Sequence, residues 1–428
     1  MITSLRNLSY KHILNLFICL LPISFIAGNL VINLNVILII VFSILIFRKS
    51  FFLFELNLID KLLLCLFSYA FFISSYNFFI FPEQNNIYAK ENFIKGMAFL
   101  RYLLFYFSVK LLIVNKIINF KNFFFIASSA VMFVSLDIFY QLIFGVDIFG
   151  NLKTHPYKLS GPFGSEQIAG SYLQRFSMFL FFLIPVVLNF KNKSNLIFFL
   201  SCFFILVFSA MILTGNRMPV ILFILMFSFL FFMEKKLWKY AIFFLFLFFT
   251  SFLIIFYLNQ YVQEFTYYFI RMSLDIFIFL KNIIILGNEP ALTNTYIKEF
   301  YSGYIAWKEN LIFGGGINSF YLNCSKTLPW CASHPHNYYI EILSELGVVG
   351  LILIIIIVLN LFTNFFNNKN DLSLEFKNNI IIPFALLLAV EFFPIKTSGS
   401  FFTTGNTTFI FLLIAIVANL PKKYIQIE

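Results

Sequence analysis

Long apolar segments recur along most of this chain, and they constrain its fold more than any other feature of the sequence. A helix needs roughly 17–25 predominantly apolar residues to cross the hydrocarbon core of a bilayer. By this measure the sequence predicts about twelve transmembrane helices, at approximately 13–28, 29–47, 60–78, 92–113, 122–144, 169–189, 195–213, 218–233, 239–258, 337–360, 379–397 and 406–420. Some segments are short or polar at one end, so eleven or thirteen helices also fit. We therefore expect an all-α polytopic membrane protein in which residues 1–428 form a single membrane domain.

Composition argues against two or three soluble domains, which a chain of 428 residues could otherwise form. Hydrophobic residues make up 61% of the chain and charged residues 11%, whereas a soluble domain has about 45–50% apolar and about 25% charged residues. The net charge of +11 does not indicate nucleic-acid binding, because Lys and Arg lie in short clusters between apolar segments. No small-residue cleavage site follows the first segment, so we interpret it as a membrane helix and not as a signal peptide.

The basic clusters predict the orientation of the chain. If the N-terminus is cytoplasmic, every inward segment carries at least two basic residues: Arg6/Lys11, Arg48/Lys49, Lys116/Lys121, Lys191/Lys193, Lys235/Lys236/Lys239, Lys369/Lys377 and Lys422/Lys423. Both termini are then cytoplasmic, and the segments 145–168, 214–217 and 259–336 face outward. The last is a large loop between the ninth and tenth helices, and its amphipathic stretches predict short helices on the membrane surface.

Four short motifs lie on this predicted outward face. In chain order they are Ser160-Gly161-Pro162-Phe163-Gly164-Ser165-Glu166 with Ala169-Gly170, then Thr214-Gly215-Asn216-Arg217, then Gly314-Gly315-Gly316 with Asn318-Ser319-Phe320, and finally His334-Pro335-His336-Asn337. Nine residues after the His-Asn pair comes Gly347, and three positions later Gly350. The spacing of the last motif and the order of all four resemble the O-antigen ligase and polymerase superfamily.

The resemblance implies a reaction, its partners and a location. Members of this superfamily transfer a glycan from a polyprenyl diphosphate to an acceptor hydroxyl outside the bacterial inner membrane. For this chain the implied donor is a glycan linked to undecaprenyl diphosphate, and the implied acceptor is lipid A-core or a lipid-linked glycan. Residues 259–336 then form a periplasmic loop. Membrane lipid is the surrounding partner, and neither a cofactor nor nucleic acid is expected.

The resemblance also implies roles for His336 and Arg217. A sugar hydroxyl is a weak nucleophile, and imidazole titrates near the working pH, so His336 is implied as the activating base. A diphosphate leaving group needs charge neutralisation, which Arg217 can supply through bidentate contacts. Each has a structural alternative: His336 could be a helix-start residue bonded to the backbone, and Arg217 a turn residue that meets lipid phosphate. We interpret His334 as structural, and Gly347 and Gly350 as aids to helix packing.

The chain departs from the superfamily at one cation. Ligases usually have a second arginine a few residues before a tryptophan on the large outward loop, but no arginine occurs among the five residues before Trp307. Three basic residues could replace it: Lys308, Arg271 and Arg175. We favour Arg175, near the outer end of the sixth helix. Asn337 and Glu166, which lie within the motifs, complete the candidate substrate-binding residues.

The cysteines outside the apolar segments predict a disulfide. Cys324 and Cys331 lie on the outward loop, seven positions apart and in an oxidising compartment, whereas the others fall within apolar segments: Cys19, Cys65 and Cys202. A zinc site formed with His334 and His336 is the alternative. We expect no metal, because no Asp-x-Asp pair occurs and the outward carboxylates are dispersed.

Several ionisable residues fall at membrane depth: Arg101, Lys110, Asp137, Glu391 and Lys396. Such residues usually face the bundle interior or a wet cavity and are paired. They could therefore tie helices together as ion pairs, or they could hold a lipid head group.

Two enzymatic alternatives and one non-enzymatic alternative accompany the interpretation as a metal-independent, O-antigen ligase-type glycosyltransferase. An O-antigen polymerase uses another lipid-linked repeat unit as acceptor, and a protein O-oligosaccharyltransferase has the same signature. Some polymerases have an arginine followed eleven positions later by glycine, a spacing that Arg101, Arg175, Arg217 and Arg271 lack, which favours the ligase. A lipid or glycan transporter usually shows paired internal repeats or broken helices, and the sequence has no evident repeat.

Overall fold

Helices form the fold throughout the part of the chain that the computed structural model describes, namely residues 2–80, 86–155, 158–187, 193–233, 238–286, 295–325, 328, 331–368, 380–394, 396 and 399–420. Extended pairing within these ranges is limited to isolated bridges. The α-helices are α1 (Ile2–Cys19), α2 (Leu21–Ala27), α3 (Asn29–Phe47), α4 (Leu58–Ile80), α5 (Asn86–Val114), α6 (Phe120–Phe144), α7 (Ala169–Val187), α8 (Lys193–Leu213), α9 (Arg217–Met233), α10 (Trp238–Leu258), α11 (Gln260–Leu286), α12 (Thr295–Lys308), α13 (Phe320–Ser325), α14 (Tyr338–Asn368), α15 (Ile381–Glu391) and α16 (Thr404–Asn419). The all-α class is confirmed.

Six helices in the described ranges are long and apolar enough to cross a membrane: Asn29–Phe51, Leu58–Tyr76, Lys90–Val114, Phe120–Phe144, Ser194–Leu213 and Tyr338–Phe366. Two bent pairs raise the number to eight if each pair is one span: Tyr10–Cys19 with Leu21–Ala27, and Ile242–Leu258 with Gln260–Arg271. Four shorter apolar helices cover the remaining predicted segments: Ala169–Ile184, Arg217–Met233, Ile381–Glu391 and Thr404–Asn419. Membrane-spanning helices are thus supported, and the total of about twelve stays a prediction.

The orientation also stays a prediction. Several of the basic residues on which it depends lie outside the described residues: Lys191, Lys235, Lys236, Lys369, Lys377, Lys422 and Lys423. In the region 259–336, the first predicted amphipathic stretch (267–286) lies within α11, and the second (296–310) lies in α12 except for its last two residues. Their position on the membrane surface is not tested by this arrangement.

Aromatic packing explains how the interior uses so many phenylalanines. Phe179 of α7 lies 5.2 Å from Phe123 and 5.0 Å from Phe124 of α6, measured between ring centroids. Its ring is also 4.9 Å from that of Phe384 in α15. All four side chains are buried, and offset or edge-on ring pairs of this kind add to the stabilisation from area burial. This cluster fixes α6, α7 and α15 against one another.

A buried ion pair ties together helices on another side of the bundle. Asp60 of α4 pairs with Lys110 of α5, and its second oxygen accepts a 2.7 Å hydrogen bond from the Tyr106 hydroxyl. Asn419, at the end of α16, donates to that hydroxyl at 3.2 Å. Asp60 and Lys110 are both buried, and charges at membrane depth are stable when they are paired in this way. For Lys110, the structure therefore matches the ion-pair interpretation.

Candidate active site

The segment before α7 packs against the turn that joins α8 to α9. The Leu159 amide donates to the Leu213 carbonyl at 3.4 Å, and the Asn216 side chain donates to the Gln167 carbonyl at 3.0 Å. A Cβ atom at Gly170 would come within 2.6 Å of the Thr214 hydroxyl, so only glycine allows this close approach. The first two sequence motifs therefore form one structural unit.

Arg217, the first residue of α9, borders a small cavity. Its guanidinium lies 5.1 Å from the ring centroid of Tyr268 and 5.3 Å from that of Phe269, both on α11. The cavity has a volume of about 210 Å³, and its other lining residues are Ile212, Gly215, Asn216, Val220, Ile221, Phe252, Val262, Thr266 and Phe269. A cation and apolar walls thus meet in one place.

Lys158 is a second cation near Arg217 that the sequence did not reveal. It is half-buried and precedes Leu159, whose amide is bonded to the end of α8. Burial, followed by the positive charge of Arg217, lowers the pKa of the Lys158 ammonium. The same loop carries Lys153, whose ammonium lies 5.2 Å from the ring centroid of Tyr261. No local spacing marks Lys158, because only the contact with the 214–217 turn brings it to Arg217.

His336 has a left-handed backbone directly before α14. Its φ is +53°, a region that few residues other than glycine adopt. The next residue, Asn337, caps the helix, since its side-chain oxygen accepts from the amides of Tyr339 at 3.0 Å and Ile340 at 3.2 Å. The Asn337 amide group also donates to the Pro394 carbonyl at 2.9 Å. Asn337 therefore holds the segment of His336 in place, and its binding to substrate stays a prediction.

The imidazole of His336 contacts a carboxylate and a second imidazole. Its Nε2 lies 3.6 Å from Oε1 of Glu299 on α12, and its side chain is 35% exposed. The ring of His334 is 4.1 Å away, measured between centroids. His334 Nδ1 is 2.9 Å from the Ser333 hydroxyl. The sequence marked both histidines but not Glu299, which lies 37 positions before His336 and outside every motif.

Burial sets the charge state of this cluster. It lowers the pKa of His336, and it lowers the pKa of His334 to about 4 with a further contribution from the positive charge of His336. It raises the pKa of Glu299 to about 7. Burial disfavours the charged form of each group. At neutral pH, His336 is therefore a neutral imidazole, the form that can accept a proton.

The glycine-rich run and the Gly-x-x-Gly motif meet inside the fold. Gly347 interrupts α14 with a φ of +65°, and the Gly316 amide donates to the Glu345 carbonyl at 2.8 Å. The amides of Val348 and Val349 donate to the carbonyls of Leu311 and Ile312. The loop after α12 therefore satisfies backbone groups that the break in α14 leaves free, so Gly347 allows a backbone break as well as close packing.

Cys324 and Cys331 form a disulfide, with Cα atoms 6.1 Å apart. Cys324 is fully buried and packs with Ala306 of α12 and Phe320 of α13. Because the two sulfurs are bonded to each other, they are not thiolate ligands of the kind that zinc binds. The disulfide joins α13 to the segment that leads to His334 and His336.

Arg175 belongs to a buried polar network that includes Tyr338, the first residue of α14. Its guanidinium donates to Glu391 at 2.8 Å and to the Asn406 side chain at 2.7 Å. Lys396 also pairs with Glu391, and it donates to the Tyr338 hydroxyl at 3.0 Å. Arg175, Glu391 and Lys396 are all buried. The network ties α7, α14, α15 and α16 together, and diphosphate binding by Arg175 stays a prediction.

The other predicted binding residues lie at the surface. Lys308 is exposed at the end of α12, with its ammonium 4.9 Å from the ring centroid of Tyr304. Glu166 is exposed beside the first motif, and Arg271 is exposed on α11. Arg217 and His336 thus each have their own group of contacts, whereas Arg175 belongs to the network with Glu391 and Lys308 is exposed.

The described residues thus combine helices that are apolar enough to cross a membrane with a neutral imidazole and with a cavity that has a cation and apolar walls. Residues 202–355 match the family model described as O-Antigen ligase. This match supports the O-antigen ligase and polymerase superfamily, and it covers the last three of the four sequence motifs. The matched stretch contains Arg217, Glu299 and His336. No curated protein matches the chain.

Proposed function

We propose that the protein is an O-antigen ligase-type glycosyltransferase of the bacterial inner membrane. In this proposal it transfers a glycan from undecaprenyl diphosphate to a hydroxyl of lipid A-core at the periplasmic face. The observation that carries the proposal is the Arg217 cavity, which combines a guanidinium with apolar walls, with the positive charge of Lys158 near Arg217. A lipid diphosphate combines the same two properties, a dense negative charge and an apolar tail. The family match at residues 202–355 supports the same reaction class.

The proposed mechanism is a single displacement at the anomeric carbon. The neutral imidazole of His336 accepts the proton of the acceptor hydroxyl, and the hydroxyl oxygen forms a bond to the anomeric carbon. The bond between that carbon and the diphosphate oxygen breaks, and its electron pair leaves with the diphosphate. Arg217 and Lys158 neutralise the charge that develops on the leaving group. In this mechanism Arg217 and Lys158, and not a metal ion, neutralise the charge of the leaving diphosphate.

A transfer assay with defined substrates tests the proposal. The purified protein is reconstituted with an undecaprenyl-diphosphate-linked glycan and one of three acceptors: lipid A-core, a second lipid-linked repeat unit, or a polypeptide. We expect product with lipid A-core, and loss of product for Arg217→Ala. Product with another acceptor alone would reassign the protein to polymerase or protein glycosylation. Movement of the donor across the bilayer without product from any acceptor would support the transporter alternative.

A further inference from the structure

Glu299 is placed against the proposed base by a close helix contact. A Cβ atom at Gly303 would overlap the side chain of Ile340 and touch Pro335. The glycine therefore lets α12 lie directly on the segment that carries His336. Glu299 lies one helical turn before Gly303, on the same face of α12, so its carboxylate reaches the imidazole.

The environment of Glu299 leaves part of its carboxyl group without a partner. Its Oε1 lies 3.6 Å from His336 Nε2, and its side chain is 16% exposed. Its Oε2 is buried and accepts no hydrogen bond from the described residues. A buried carboxylate in this situation is unstable until a positive charge or a donor faces it. A protonated His336 would supply both.

We propose that Glu299 is a positioning residue that holds the proton of His336 on Nε2 and thereby leaves the Nδ1 lone pair free to accept the proton of the acceptor hydroxyl. The inference rests on the proposed function. As the hydroxyl proton moves to Nδ1, the imidazole becomes an imidazolium, and the Glu299 carboxylate faces its positive charge. The separation of 3.6 Å is longer than a hydrogen bond, and such contacts often tighten when the reacting complex forms.

Burial opposes the charged forms of both Glu299 and His336. Burial raises the pKa of Glu299 to about 7 and lowers the pKa of His336. When a carboxylate and an imidazolium face each other, each favours the charged form of the other, so burial then shifts both pKa values less. His334 is a second titratable group in contact with His336. On α14, the Tyr339 hydroxyl donates to the Phe392 carbonyl, and the Glu341 carboxylate accepts from the Phe401 amide. These two side chains therefore do not compete with Glu299 for the His336 imidazole.

The kinetic test compares Glu299→Gln with a matched control. Glutamine keeps the size of the side chain but cannot carry the charge. We expect kcat for glycan transfer to fall about 10–100-fold, the effect typical of removing the partner that orients a metal-ligating histidine, with KM for the donor unchanged. Glu309→Gln makes the same chemical change at an exposed position beyond the end of α12, and we expect it to leave kcat unchanged.

A chemical readout separates this inference from the proposed function. Diethyl pyrocarbonate modifies neutral imidazole. The folded protein is modified at a series of pH values and then digested, and mass spectrometry measures the modified fraction of the peptide that contains His336. Removing a neighbouring carboxylate lowers the pKa of an imidazolium, so the midpoint of modification should fall by about one pH unit in Glu299→Gln and stay unchanged in Glu309→Gln.

The two readouts have distinct outcomes. An unchanged midpoint in Glu299→Gln would overturn the inference, even if transfer were slower, because a purely structural role would lower activity without altering the titration of His336. A shifted midpoint in a protein that transfers no glycan would leave the pairing of Glu299 and His336 intact and remove the proposed function.

Discussion

His336 combines a partly exposed imidazole with a left-handed backbone, and its side chain can be removed without touching a helix interior. We expect His336→Ala to lower glycan transfer by about 10²–10⁴-fold, the usual effect of losing a general base, with expression and membrane insertion unchanged.

Because burial lowers the pKa of His336, the base stays neutral at lower pH than an ordinary imidazole. Activity should then be lost only as the pH falls below about 6.5, measured as a pH profile of kcat in proteoliposomes.

His334→Ala is the matched control for this prediction. The His334 ring is tilted against that of His336 with the centroids 4.1 Å apart, but its Nδ1 is engaged with the Ser333 hydroxyl. We expect a much milder loss of transfer. An essential His334 together with a dispensable His336 would show that the alignment of the signature motif is misplaced.

Arg217 and Lys158 should act together on the donor. We expect Arg217→Ala to lower kcat by about 10²–10³-fold, as for loss of one group that stabilises a developing charge. Arg217→Lys should recover only part of this loss, because lysine keeps the charge without the planar fork. Lys158→Ala should also lower kcat, because Lys158 faces the same developing charge on the leaving diphosphate.

Lys153→Ala is the control, because Lys153 lies on the same loop but over the Tyr261 ring. A Lys153→Ala defect equal to that of Lys158→Ala would indicate general attraction of the loop for anionic lipid, and not a defined diphosphate site.

The residues that the sequence missed share one physical property. Neither Lys158 nor Glu299 lies in a motif whose spacing suggests a role, and each acquires its partner through packing between distant segments. Leu213 holds the loop of Lys158, and Gly303 allows the approach of Glu299. His336 and Arg217, by contrast, lie within motifs with recognisable spacing. Local patterns could therefore identify the two main candidates, but not the groups that surround them.

At the level of secondary structure, the disulfide is the most accessible test. Mass spectrometry of unreduced protein should detect a Cys324–Cys331 cross-linked peptide. Reduction should lower the melting temperature, since closing a small loop contributes roughly 2–3 kcal/mol in the chain-entropy model. Transfer should also fall, because the bond joins α13 to the segment of His336. Cys65→Ser, at a free cysteine, is the control.

Two alkylatable thiols at Cys324 and Cys331 in the unreduced protein would contradict the prediction. A cross-linked protein whose transfer survives reduction would instead limit the disulfide to stability.

Helix positions were predictable where apolar composition alone determines them. The fifth predicted helix, 122–144, corresponds to Phe120–Phe144, and α3 begins at Asn29 after Gly28, as expected. The break of α14 at Gly347 was not predicted, because its cause is the approach of the loop after α12. The role of Arg175 was likewise hidden, since Glu391 lies 216 positions away.

At the scale of the whole molecule, the central prediction is the orientation in the membrane. The positive-inside pattern predicts cytoplasmic termini, so reporter fusions should place residues 155 and 300 outside and residue 235 inside. Periplasmic substrates require His336 and Arg217 on the outer face. A reporter that placed residue 300 in the cytoplasm would refute the proposed function together with the topology.

The left-handed backbone of His336 has a consequence for how this protein can evolve. A non-glycine residue in that region carries about 1–3 kcal/mol of conformational strain, and glycine would remove it. Selection for stability alone would therefore favour glycine at position 336, whereas selection for a base favours histidine. Chains that have lost the reaction but kept the fold should drift towards glycine or asparagine at this position, so the residue found there would distinguish working descendants from inactive ones.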